Sequence, residues 1–93
     1  MGDRAAALAG AARMFDGGGL KAKLAEFVAI PSTAQDPAYE AALHQYLDQA
    51  IRPWVERLGF TATIHANPLE GFGPILTAER IEDPARPTIL LYG

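Results

Sequence analysis

Cysteine is absent from this chain. That excludes disulfide staples, zinc sites built on thiolates and any cysteine nucleophile. Long apolar runs are missing too: no stretch approaches the roughly 20 residues that a membrane-spanning helix needs. The Ala-rich run from Ala5 to Ala12 holds a single leucine, too little for the apolar region of a secretory leader. Position 6 is alanine, where an N-myristoylation signal needs serine or threonine. Positive charge is in the minority, with 8 Lys and Arg against 11 Asp and Glu and a net charge of −3. A protein that replaces phosphate counterions carries a basic stripe. There is none here, so no nucleic-acid partner is expected. An anionic membrane surface is equally unsupported. With neither leader nor cysteine, a cytoplasmic location is expected.

What is present is an ordinary globular composition. Hydrophobic residues make up 49% of the 93, close to the average for folded chains. This length allows one small domain. A chain this short buries a smaller share of its surface than a longer one.

Residues 4–14 have high helix propensity apart from Gly10, and they predict a frayed helical lead-in. Asp16 ahead of three glycines predicts an N-cap with a flexible entry. Leu20, Leu24, Phe27 and Val28 then form an apolar stripe at helical spacing. That helix must end before Pro31, because the residue preceding a proline avoids the α region. The strongest periodic signal comes next. Asp36-Pro37 predicts a cap followed by proline at the first helical position. Tyr39, Leu43, Tyr46, Leu47, Ala50, Ile51, Trp54, Val55 and Leu58 continue the stripe, and Gly59 predicts the C-terminal end. Pro53 lies inside this pattern and predicts one helix, kinked near 49–53.

After Gly59 the period changes from 3.6 to 2. Thr61, Thr63 and His65 alternate with Ala62, Ile64 and Ala66, which predicts a half-buried strand. Asn67 to Pro74 is a loop by its Gly and Pro content. Alternation resumes from Ile75 to Ile81, so an antiparallel pair with one wet face is expected. Residues 87–93 read P-T-I-L-L-Y-G. An apolar run of that kind predicts a third strand over 88–92, buried on both faces like a central strand of an open α/β sheet. In such sheets catalytic groups gather beyond the carboxyl ends of the strands. The expected fold class is therefore α/β: two helices, then three strands, the first two antiparallel.

That order, with these words in it, resembles the start of the catalytic domain of a large zinc peptidase family. The family includes aminoacylases, acetylornithine deacetylases, succinyl-diaminopimelate desuccinylases and glutamate carboxypeptidases. Four stretches carry the likeness: F-V-A-I-P-S (27–32), L-G-F (58–60), G-P-I-L-T-A-E-R (73–80) and P-T-I-L-L-Y-G (87–93). The likeness implies a helical lead-in over 1–15 and the N-terminal part of a metallopeptidase-like catalytic domain over 16–93. It also implies two metal ions, usually zinc, in the whole enzyme, with a peptide or an N-acyl amino acid as substrate. In the family the third strand runs into a His-x-Asp metal motif. That motif would follow Gly93, so no catalytic, cofactor or metal residue carries over to this chain. The expectation is an enzyme fragment that ends before its metal site and is inactive alone.

The remaining polar residues support no strong site. His44 has Glu40 and Asp48 four residues to either side. A metal reading would use His44 with one of those carboxylates, but a solvated helix face with weak i,i+4 pairs is the expected account. His65 shares its strand face with threonines and is expected to be a surface histidine. Glu79, Glu82 and Asp83 suggest paired carboxylates for acid–base work. Charged groups at a strand end also discourage unwanted pairing, which is the expected role. Gly17-Gly18-Gly19 reads as a hinge: no strand precedes it and no lysine sits in the phosphate-binding position. Ser32 has no histidine or aspartate at motif spacing. Tyr39, Tyr46 and Trp54 are expected to pack in a core or an interface.

A second function class competes with the hydrolase. A small α/β interaction module would associate through strand 88–92 or through the stripe of helix 36–58. Self-association is expected in either case, because an apolar strand without a neighbour is a sticky edge.

Overall fold

Asp3 opens the first helix, its Oδ1 accepting a 2.9 Å hydrogen bond from the Ala5 N–H. In the computed structural model, which describes residues 3–33 and 36–93, α1 spans Arg4–Asp16. Phe15 and Asp16 extend it beyond the predicted residues 4–14, and Asp16 is its last residue. Asp16 therefore does not cap the next helix, as its sequence position had predicted. That helix, α2 (Gly19–Val28), has Gly18 at its N-cap and no side-chain cap. The reason is local: the Gly17 N–H bonds to the Arg13 carbonyl at 2.9 Å, so α1 uses the aspartate before the glycines turn the chain. α2 ends two residues short of Ile30-Pro31, as the proline requires.

α3 covers residues 37–57 in four continuous segments. It begins with a 3-10 turn, Pro37–Tyr39, capped by Asp36, whose Oδ1 accepts from the Ala38 N–H at 3.0 Å. An α segment, Glu40–Gln45, follows. A π segment, Tyr46–Ile51, leads into a final α segment, Arg52–Arg57. The π turn is the structural answer to Pro53. Proline has no N–H for the Gln49 carbonyl, and its ring crowds that carbonyl in a regular helix. One wider turn, closed by the Arg52 N–H on the Leu47 carbonyl, makes room for the ring. The helix stays single, as its stripe predicted, and the proline is absorbed without ending it.

The end of α3 is a Schellman motif. The Phe60 N–H bonds to the Val55 carbonyl at 3.1 Å, and the Gly59 N–H to the Glu56 carbonyl at 3.0 Å. Gly59 has φ 90°, which glycine adopts without a Cβ penalty. Arg80 adds a second closure. Its Nη1 donates to the Leu58 carbonyl at 3.0 Å, placing a cation at the negative end of the helix dipole.

Two strands follow, β1 (Thr61–His65) and β2 (Ile75–Glu79), paired antiparallel with Thr61 opposite Glu79 and His65 opposite Ile75. The predicted alternation holds in β1 but not in β2, where Ala78 is exposed like Thr77 and Glu79 on either side of it. Ala62, Ile64 and Leu76 are half-buried, while Thr61, Thr63, His65, Thr77 and Glu79 are exposed. β2 ends at Glu79, two residues before the alternation does. Asn67 closes the connecting loop, accepting from the Leu69 N–H at 2.9 Å and donating to the Gly73 carbonyl at 3.2 Å. The last segment of α3 packs on β1.

The third strand is the main correction. Among the described residues the sheet has two strands, and residues 87–93 belong to neither. Ile89, Leu90, Leu91 and Tyr92 are 81%, 93%, 84% and 101% exposed, not buried on two faces. The composition of a central strand is present, but no hydrogen-bonded neighbour is, and a strand exists only through its ladder.

The core is correspondingly thin. Ala50, 4% exposed, is the only buried hydrophobic residue among those described. An aromatic cluster joins α2 to α3: Phe27 meets Tyr46 edge-on at 5.8 Å and Trp54 at 5.5 Å. Lys23 Nζ lies 5.7 Å from the centre of the Phe27 ring. The chain exposes 7691 Å², against about 5,200 Å² for a compact monomer of its size. Its radius of gyration is 15.8 Å, where about 12 Å is usual for that length.

Candidate functional site

α3 presents His44 on an exposed face between Glu40 and Asp48. The trio does not act together. Asp48 Oδ1 instead takes Arg52 Nη1 at 2.9 Å, an i,i+4 ion pair along the same helix. The helix repeat puts both His44 and Arg52 within reach of Asp48, and only the fold selects the arginine.

The sheet brings together one pair that the strand pattern alone had not. His65 Nε2 lies 2.8 Å from Thr77 Oγ1. Thr77 is opposite Thr63, so this is a diagonal contact across the two strands. The register is what makes it, and the register is not readable from either strand alone. His65 is exposed, as expected of a surface histidine.

The three carboxylates after β2 do not converge. Glu79 faces Thr61 across the sheet. Glu82 Oε1 is 2.6 Å from Arg80 Nη2. Asp83 Oδ2 is 3.3 Å from Arg86 Nε, and its Oδ1 accepts from the Ala85 N–H at 2.9 Å, forming a turn. Two of the three are thus engaged by arginines, which is turn and strand-end chemistry. Ser32 is half-buried; its N–H bonds to the Ile30 carbonyl at 2.7 Å. Gly17 ends α1, Gly18 is the N-cap of α2 and Gly19 is the first residue of α2, so the glycines form the turn between the two helices. Among the described residues no three His, Asp or Glu side chains gather as a metal site would require.

Open grooves are present among the described residues. One, of about 640 Å³, runs between the exposed sheet face (Thr61, Thr63, Thr77, Glu79) and the segment Thr88, Ile89 and Leu90. Another, of about 440 Å³, lies between α2 and α3 and is lined by Leu24, Phe27, Val28, Ile30 and Tyr46. The first mixes threonines, Glu79 and Arg80 with apolar side chains; the second is mostly apolar with a few hydroxyls. Their walls can recognise apolar surface, but they hold no nucleophile beside an oriented base.

Comparison of the chain with protein-family models, with curated proteins and with solved structures finds no match. The peptidase likeness therefore rests on the four quoted stretches. Among the described residues, no helix is long and apolar enough to cross a membrane.

Proposed function

We propose that residues 16–93 are the N-terminal part of the catalytic domain of a metal-dependent amide hydrolase, a peptidase or an N-acyl amino acid deacylase. The observation that carries the reading is the surplus of exposed surface, together with the large apolar side chains that lie on it. The chain exposes about 2,500 Å² more than a compact monomer of its size. Phe15, Val28, Phe72, Ile81 and residues 89–92 all contribute. A single buried alanine does not make a core, so these side chains call for more protein to cover them. The order of helices and an antiparallel pair, and the four stretches quoted above, supply the family. The described residues do not by themselves fit the two metals such an enzyme holds, so the proposal draws no catalytic step through this chain. The amide chemistry belongs to groups outside it.

The test pairs a coding-sequence reading with a binding assay. The natural product is expected to continue past Gly93 with histidine and, two residues on, aspartate. The purified 93-residue chain is expected to bind no stoichiometric zinc and to hydrolyse no N-acyl amino acid. Stoichiometric zinc binding or turnover in that chain would sink the proposal, as would a continuation without the metal motif. A second reading, a self-standing interaction module, is favoured by the exposure of Ile89 to Tyr92.

A further inference from the structure

We draw no further inference here: the strongest candidate, the open groove between α2 and α3 lined by Leu24, Phe27, Val28, Ile30 and Tyr46, is an unpartnered apolar face, and nothing in the structure shows what covers it.

Discussion

Replacing Gly59 with alanine tests how α3 is closed. Gly59 has φ 90°, and an added Cβ would lie 3.4 Å from Arg80 Nε. Two effects are therefore separable. A Cβ at that φ costs about 1–2 kcal/mol, offset by about 0.4–1 kcal/mol because alanine also restricts the unfolded chain. The Cβ also fills the space against the Arg80 guanidinium, and the most that a shift of Arg80 can cost is its 3.0 Å hydrogen bond to the Leu58 carbonyl, about 0.5–1.5 kcal/mol. The expected net loss is about 1–2.5 kcal/mol. Gly71 is the internal control: its φ is 84°, but nothing lies within 4 Å of an added Cβ. Gly71→Ala should carry the backbone effect alone, about 0.5–1 kcal/mol. Urea melts followed by far-UV circular dichroism compare the two variants. In the Arg80→Ala background the gap between them should close, since the contact that separates them is gone. The reasoning is refuted if Gly59→Ala is no more destabilising than Gly71→Ala, or if the gap survives removal of Arg80.

Two further outcomes follow from the helices. Phe27→Ala removes both edge-on contacts that join α2 to α3, to Tyr46 and Trp54. Because the ring is only half-buried, a loss of about 1–3 kcal/mol is expected, below the usual core value. Trp54 fluorescence should shift to the red, and an unshifted spectrum counts against the cluster. Pro53→Ala restores a donor for the Gln49 carbonyl and removes the ring that the π turn accommodates. Helical signal at 222 nm should rise and stability increase by about 1 kcal/mol; no change in either means that something other than the proline sets the wide turn.

Several elements were legible because their causes are local. Asp36-Pro37 announces the start of α3, and its cap hydrogen bond is there at 3.0 Å. Gly59 announces the end. Period-2 alternation places Ala62, Ile64 and Leu76 inward. Asp16 misled because a cap residue is equally welcome in the last turn of a preceding helix, and α1 reached it first. Among the candidate residues, the paired carboxylates dissolved into ion pairs with Arg80 and Arg86. Sequence spacing gives which charges are near, not which partner each one takes. The His65–Thr77 contact needed the register of two strands nine residues of loop apart.

By itself, the amino-acid sequence determined the helices, both ends of α3, the β1–β2 pair and the exclusion of thiol chemistry. Each of these depends on neighbours within a few positions or on composition. Only the tertiary structure decided the fate of T-I-L-L-Y at 88–92. A buried strand and a bare one can share one composition, because burial is supplied by what packs against the segment. Here β1 and β2 pair with each other and residues 88–92 remain in water. The same structure showed that α3 packs mainly on α2 and β1, so that among the described residues one alanine is buried where the pattern had promised a core.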